Sequence, residues 1–329
     1  MGVFLIGTAG SRRTEYFLKA AAECQAAVTF VDWSEVADAD LSGGIVKIDP
    51  PSYCTTNLFD MNEQVAAYHS RLEQLERRGA GFLNTPEGII SALDKYGCKK
   101  TLMDNGIPST EMIAGNIYTV GQLEEAMERS RTYSVFIKPV VCSGAAGVCA
   151  YRKIPGSAKE VVHTSCCVRD GELVNTKRMY RLEDKKKIQE LLQSVLSLGV
   201  VVERWHPKAS FHGKSYDLRV VWQFGRIEFM VARQSGGPIT NLHLNNSPLD
   251  WRALALPERT LADIDRLCRE AIKLFPGLRA AGIDVLLEQG TLRPRIIEIN
   301  GQGDLIYQDI FNENNIYRRQ IEELGKRWI

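Results

Sequence analysis

The amino-acid sequence predicts an α/β opening followed by an α+β body, divided into three lobes over residues 1–84, 85–202 and 203–329. Three observations lead there. The chain starts as strand, glycine-containing turn, helix and strand, the beginning of an open α/β sheet. Its second half carries short strands joined by glycine-containing connections that suit antiparallel pairing. At 329 residues, 44% hydrophobic and 25% charged, it holds enough apolar material for two or three packed lobes.

Taken in order, Val3-Phe4-Leu5-Ile6 is an apolar run ending in Gly7-Thr8-Ala9-Gly10-Ser11, and a helical pattern through Phe17, Leu18 and Ala21 leads to the run Val28-Thr29-Phe30-Val31. The turn is neither G-x-G-x-x-G nor a phosphate loop, so two readings stand, a plain strand-to-helix turn and a substrate loop. Met61, Val65, Tyr68, Leu72 and Leu75 recur at steps of four and three, which predicts an amphipathic helix over the first sheet. Thr85-Pro86 reads as an N-cap with proline at the first helical position, and the first boundary is placed near 85. Farther on, Thr119-x-x-Gln122 is a capping box, and strands are expected at Val135 to Lys138 and Gly147 to Tyr151. A helix through Ile188, Leu191, Leu192 and Val195 precedes strands at Val200 to Glu203, Ser215 to Trp222, Arg226 to Ala232, Ile283 to Leu287 and Arg295 to Ile299. Helices at Leu261 to Phe275 and Ile316 to Leu324 complete the body.

Charge excludes some functions. Lysine and arginine number 41 against 40 acids, and no basic run exceeds Lys185-Lys186-Lys187, so broad electrostatic binding to nucleic acid or membrane is not expected. An anionic ligand must be held locally. No signal-peptide pattern opens the chain and no stretch approaches 18 apolar residues. The eight cysteines show no C-x-x-C and no zinc-finger spacing, which fits reduced thiols in a cytoplasm.

The chemistry concentrates in the second half. If the hairpin of Ile283 to Leu287 with Arg295 to Asn300 turns near residue 291, Asp284 faces Glu298, and period-two geometry sets Glu298 and Asn300 on one face with Ile297 and Ile299 on the other. Two facing carboxylates repel unless a cation or proton lies between them, and with the Asn300 amide oxygen they make an oxygen set for Mg²⁺. The alternative is a solvated strand end. Lys138 precedes a small-residue loop, Ser143 to Gly147, whose backbone could approach phosphate oxygens, or which is simply a flexible hairpin. Asp217 and Arg219 share a strand face, and the hairpin near Phe224-Gly225 brings Arg233 back beside Ser215 and Asp217.

The series Asp94-Lys95, Ile137-Lys138 with its loop, Glu203-Arg204-Trp205, Asp217-Leu218-Arg219, Arg233, Asn241-Leu242-His243, Ile283-Asp284 and Glu298-Ile299-Asn300 resembles the ATP-grasp superfamily, nearest to ribosomal-protein glutamate ligases of the RimK type, with glutathione synthetases and D-alanine–D-alanine ligases more distant. It runs from about 85 to 310 in order. The resemblance implies an ATP-grasp fold, a Rossmann-like first domain followed by two α+β lobes that clamp ATP. It implies that Lys95 and Lys138 hold phosphates under the Ser143 to Gly147 loop, Gly144 included. Glu203 and the Arg204-Trp205 backbone would line the adenine pocket, with Asp217 near the ribose. Arg233 and Asn241, with Arg219, would serve phosphoryl transfer, while Asp284, Glu298 and Asn300 would carry Mg²⁺, as two ions, with Mn²⁺ as a substitute.

The implied activity is an ADP-forming carboxylate–amine ligase that passes through an acyl phosphate, acting on an amino acid or peptide. A small-molecule kinase and a non-catalytic nucleotide-binding partner protein are the other classes considered, and a homodimer is the default assembly. Two segments depart from the RimK pattern: Leu244-Asn245-Asn246-Ser247-Pro248 stands in place of paired glycines, and Gly301-Gln302-Gly303 in place of Pro-Gly. Both border the expected acceptor site, so His243, Asn245, Gly301 and Gln302 are read as substrate contacts. Arg12 and Arg13 are read either as a grip on a substrate carboxylate or as surface charge, as is the segment Arg169 to Arg181.

Overall fold

The computed structural model describes residues 2–141, 144–302 and 313–326. The first sheet is parallel, in the order β2-β1-β3-β4, from β1 (Val3–Gly7), β2 (Val28–Asp32), β3 (Ile45–Ile48) and β4 (Gly81–Phe82). Gly10 takes the left-handed turn, φ +70°, and Ser11 then caps α1 (Arg12–Glu23) by accepting from the Thr14 N–H. The opening glycine segment is thus a strand-to-helix turn. α2 (Leu58–Glu76) buries Leu58, Met61, Val65, Tyr68, Leu72 and Leu75, the face its spacing predicts.

α3 (Pro86–Leu93) is capped by Thr85, and Asp94 caps α4 (Lys95–Asp104) by accepting from Tyr96 N at 3.0 Å. That cap sets Lys95 at the first position of its helix. α3 lies so close to the 277 turn that a Cβ on Gly88 would sit 2.8 Å from the Gly277 backbone.

The second sheet is antiparallel, in the order β5-β10-β6-β7-β8-β9. Its strands are β5 (Met112–Ile117), β6 (Ser134–Pro139), β7 (Cys149–Lys153), β8 (Glu160–Arg169), β9 (Glu172–Leu182) and β10 (Val200–Arg204). α5 (Val120–Arg129) begins at the predicted Thr119/Gln122 capping box, and α6 (Lys185–Leu196) buries Ile188, Leu191, Leu192 and Val195. The basic segment ending at Arg181 is strand β9, whose Lys177 and Arg178 are exposed.

The third sheet, also antiparallel, runs β14-β13-β12-β15-β16, with β11 (Ser210–Phe211) paired to β12. It comprises β12 (Lys214–Gln223), β13 (Arg226–Ser235), β14 (Ser247–Asp250), β15 (Ala280–Leu287) and β16 (Pro294–Asn300). α7 (Glu258–Lys273) packs on it, and α8 (Asn315–Lys326) joins α1 in a cluster holding Leu5, Phe17, Phe229, Ile316 and Tyr317.

Core sharing decides how the sheets are joined. Ile6, Val46, Tyr68 and Leu72 belong to the same hydrophobic cluster as Leu218, Val220, Ile283 and Ile299, so the first and third sheets are fastened together. The second sheet keeps its own cluster, into which Leu58 and Met61 of α2 insert. Among the described residues no helix is long and apolar enough to cross a membrane.

Candidate active site

The three sheets enclose a cleft with about 1440 Å³ of empty space, its mouth included. Arg13 of α1 and Pro50, just after β3, join its lining, α4 contributes Lys95 and Lys99, the second sheet contributes Phe136, Lys138, Glu203 and Arg204, and the loop between β6 and β7 contributes Gly144. The third sheet supplies Asp217, Arg233, Asp284, Glu298 and Asn300, and the segments beside it supply Asn241, Gly301 and Gln302. Most of the residues singled out in the sequence therefore meet in one place.

Strand register builds the floor. Asp217 pairs with Arg233, Arg219 with Asp284, and Asp284 with Glu298 across four neighbouring strands. Arg219 Nε donates to Asp284 Oδ1 at 2.5 Å, and Arg233 Nη2 reaches Asp284 Oδ2 at 2.9 Å. Arg233 Nε donates to Asp217 Oδ1 at 2.7 Å, while Lys208 Nζ (3.1 Å) and the Thr240 hydroxyl donate to Asp217 Oδ2. The cation expected between Asp284 and Glu298 is thus partly supplied by the protein, as two guanidiniums on Asp284. Burial raises the Asp284 carboxyl against those guanidiniums, with Glu298 and Asp217 adding to the rise. Burial also works against Asp217, but Arg233 and Lys208 outweigh it and hold that carboxyl well below the usual range. At Glu298 burial is outweighed by Lys95, Lys138, Arg219 and Arg233, which hold it at about 2.

A β-bulge corrects the expected side-chain alternation. Asp284 pairs with Glu298 but Val285 with Ile296, so Ile297 is an extra residue; Ile296 and Ile299 belong to the shared core, and Ile297, outside it, lines the cleft alongside Ile299. Asp284, Glu298 and Asn300 are nonetheless gathered at one end of the hairpin. Asn300 Nδ2 donates to Gly282 O (3.2 Å) and Glu298 Oε1 (3.4 Å), which leaves its amide oxygen for a cation. Two carboxylates and an amide oxygen, one carboxylate raised by burial and like charge, fit a hard dication. Among the described residues no cluster of three or more His, Cys, Asp or Glu is placed to hold a metal, so a third protein donor beside Asp284 and Glu298 would have to be the Asn300 amide oxygen.

Lys138, at the end of β6, donates to Glu203 Oε2 on β10 at 2.9 Å. Glu203, expected at the adenine pocket, lines the cleft with its carboxylate engaged by Lys138, by Thr110 Oγ1 at 2.5 Å and by Lys99 at 3.6 Å. Burial raises this carboxyl, and the two lysines outweigh it. Lys99 and Lys208 were not read from the sequence. Lys99 left one signal, its i, i+4 spacing from Lys95 on a helix whose first residue is in the motif.

At the apolar end, Phe136, Val148, Ile239 and Leu286 line the cleft. The backbone N–H groups of Arg204 and Trp205 donate to Glu111 O and Ser134 O, so both belong to the sheet. The Trp205 ring packs on Phe136, centroids 5.4 Å apart, beneath the Arg152 guanidinium and outside the cleft lining. His206 lines the cleft with a buried Nε2 that has no hydrogen-bond partner, and burial together with Arg295 lowers its proton affinity.

The remaining residues divide plainly. Gly144 (φ +66°) lines the cleft; Gly147 (φ +71°) does not, and a Cβ there would lie 2.7 Å from Pro139 Cγ, so close packing explains it. Ser143 lies outside the described residues. Asn241 lines the cleft and its side chain accepts from His243 N at 2.9 Å, capping the short 3₁₀ turn Leu242–Leu244. His243 and Asn245 are exposed and outside the lining, as is Arg12. Arg219 is buried beneath Asp284 and does not line the cleft. Gln302 Nε2 donates to Tyr68 OH at 2.7 Å, and Gly301 packs against Ala92 and Leu278.

Three sheets around a single cleft, two of them antiparallel with lysines on one jaw and acids with guanidiniums on the other, make this an ATP-grasp fold. The solved structures that share it bear this out. D-cycloserine synthetase DcsG matches over 99% of this chain and 99% of its own, at 13% identity and a TM-score of 0.66. The macrocyclase MdnC of Microcystis aeruginosa MRC, bound with precursor peptide MdnA, matches over 99% and 100% at 14% identity and a TM-score of 0.61. A RiPP-associated ATP-grasp ligase of Chryseobacterium gregarium, in complex with ADP and a leader and core peptide, matches over 100% and 98% at 14% identity and a TM-score of 0.61. No family model and no curated protein matches the sequence.

Proposed function

We propose that this chain is an ATP-dependent, ADP-forming carboxylate–amine ligase acting on an amino acid or a peptide. One observation carries the reading: Lys95, Lys138, Arg219 and Arg233 converge on Glu298 beside Asp284 at the floor of a cleft large enough for a nucleotide and a second substrate. A cationic array around two carboxylates and an amide is what a triphosphate with magnesium requires. The ADP and peptides held by the related folds support it.

In this reading Lys95 and Lys138 hold phosphate oxygens beneath the loop that contains Gly144, and Phe136, Ile239 and Leu286 sandwich the base. Asp284, Glu298 and Asn300 would hold Mg²⁺, two ions with Mn²⁺ as a substitute, and the metal would supply positive charge to offset that of the phosphates. A carboxylate oxygen of the substrate attacks the γ-phosphorus as its bond to the ADP oxygen breaks, and Arg233 and Asn241 stabilise the charge on the moving phosphoryl group. The neutral amine of the acceptor then attacks the acyl carbon, the carbon–oxygen bond to phosphate breaks, and the amine's proton passes to the departing phosphate or to solvent. Arg219 and Lys208 act through Asp284 and Asp217, keeping those acids ionised and in place. Arg13 and Gln302, at the carboxyl edge of the parallel first sheet, face the acceptor.

The three lobes, 1–84, 85–202 and 203–329, belong to the same proposal, each centred on one sheet. So do a homodimer and a cytoplasmic setting; the free thiols of the described cysteines support the latter. ADP release in the presence of pooled amino acids and peptides, with and without Mg²⁺, tests the activity. Release that needs both Mg²⁺ and an amine is expected. Amine-independent release with a stable phosphorylated product would make the chain a kinase, and no release under any condition would leave it a binding protein.

A further inference from the structure

Lys99 lies one turn beyond Lys95 on α4, its side chain 4% exposed. Its Nζ donates to Thr110 Oγ1 and to Ile297 O, both at 2.8 Å, with Ile296 O at 3.5 Å and Glu203 Oε1 at 3.6 Å. Thr110 Oγ1 donates onward to Glu203 Oε2, which also receives Lys138 Nζ. All these partners of Nζ can accept, the pattern of an ammonium group with three donors. The Ile297 carbonyl belongs to the bulge, and Glu298 is the next residue. A bulge re-aims the side chains beside it, and the part-buried carbonyl of its extra residue needs a donor. Lys99 is that donor. One ammonium therefore connects the strand that carries Glu298 to the carboxylate that holds Lys138, along the chain Ile297 O, Lys99 Nζ, Thr110 Oγ1, Glu203 Oε2, Lys138 Nζ.

We propose that Lys99 is a positioning residue of the nucleotide site: it locks the Ile297 bulge so that Glu298 stays opposite Asp284, and by sharing Glu203 it sets how firmly Lys138 is held away from a phosphate. The proposal rests on the magnesium–nucleotide reading above, and it concerns a residue that would touch neither metal nor phosphate. Removing it takes the lysine donor from the Ile297 carbonyl and leaves Glu203 to Lys138 and the Thr110 hydroxyl.

Calorimetric titration of the full chain with AMPPNP over a series of Mg²⁺ concentrations separates the two ideas. Absence of Mg²⁺-linked binding in the wild type overturns the reading of the whole site. With that binding present, a folded Lys99→Met variant should need about 10–100-fold more Mg²⁺ for half-saturation, the range seen when a group behind a metal ligand is lost. Its affinity for metal-free AMPPNP should change less, and Lys99→Arg should recover part of the Mg²⁺ response. A wild-type Mg²⁺ demand in Lys99→Met overturns the role of Lys99 and leaves the nucleotide reading intact. Should Lys99→Met fail to fold by circular dichroism, Thr110→Val, which cuts the same chain one link farther on at constant volume, decides: a raised Mg²⁺ demand supports the proposal and an unchanged one overturns it.

Discussion

Arg233 reaches over strand β12 to Asp284, two strands away, with Nη2 2.9 Å from Oδ2, while its Nε donates to Asp217 on the strand between. One guanidinium therefore ties two buried acids together and still faces the cleft. Its planar fork allows this, and a lysine could not satisfy both.

Replacing Arg233 by methionine should accordingly hurt twice. Breaking buried ion pairs from one side typically costs about 3–5 kcal/mol, because the partner charges stay behind. Urea unfolding should show a loss of that size. ADP release should fall by roughly 10³-fold or more, the scale of an arginine that stabilises a transferring phosphoryl group. Near-wild-type turnover in Arg233→Met would remove it from the chemistry.

The two partners of the Lys138–Glu203 pair are not equivalent. Lys138→Met leaves Glu203 still neutralised by Lys99, so the fold should persist while nucleotide affinity drops by about tenfold, the equivalent of one lost charge-assisted contact. Glu203→Gln leaves Lys99 and Lys138, two buried lysines, without the carboxylate that both pair with, and it should lower the melting temperature more than Lys138→Met does. Calorimetry and thermal melts on the pair of variants read both effects, and equal melting temperatures would contradict this ordering.

Acid should weaken the fold in a defined window. Glu298 ordinarily titrates at 4.5 and is held at about 2 here, so its folded form is favoured above 4.5 and that advantage is lost as pH falls toward 2. Asp217, depressed in the same direction, adds to the loss. Stability measured from pH 6 downward should therefore decline below about 4.5, and Glu298→Gln should decline less steeply over the same range. A parallel slope in that variant would mean that other acids govern the transition.

The loop glycines should respond unequally to alanine. Both carry positive φ, a strain of about 1–2 kcal/mol for any other residue. Only Gly147 also meets Pro139 at 2.7 Å. Gly147→Ala should lower the melting temperature more than Gly144→Ala, whereas Gly144→Ala, beside the cleft, should act mainly on the nucleotide KM.

Much of this site was legible because sheet geometry is periodic. The turn near 291 was enough to place Asp284 opposite Glu298, and the turn at Phe224-Gly225 put Arg233 beside Asp217. The Ile297 bulge was not legible, since one inserted residue breaks the alternation without any mark in residue type. β3 escaped notice because Lys47 interrupts its apolar run; the structure buries that lysine against Asp49. β9 escaped because its basic side chains read as surface charge. The motif concerns the Arg204-Trp205 backbone and says nothing of the Trp205 ring, which packs on Phe136, itself a residue of the cleft lining. Lys99 and Lys208 went unread for a simpler reason: a lysine in sequence looks solvated, and only the fold supplies the carboxylates that let it be buried.

α2 has one end in each of two apolar clusters: Leu58 and Met61 serve the second sheet, Tyr68 and Leu72 the paired first and third. A rod anchored in this way is a mechanical linkage. If the second sheet swings to admit a substrate or let a product go, its near end must lever against a bearing formed by Leu58 and Met61, and the far end delivers that torque to Tyr68, the residue whose hydroxyl receives Gln302 at the rim of the cleft. Any such motion would be geared to Tyr68 and Gln302 through a single helix.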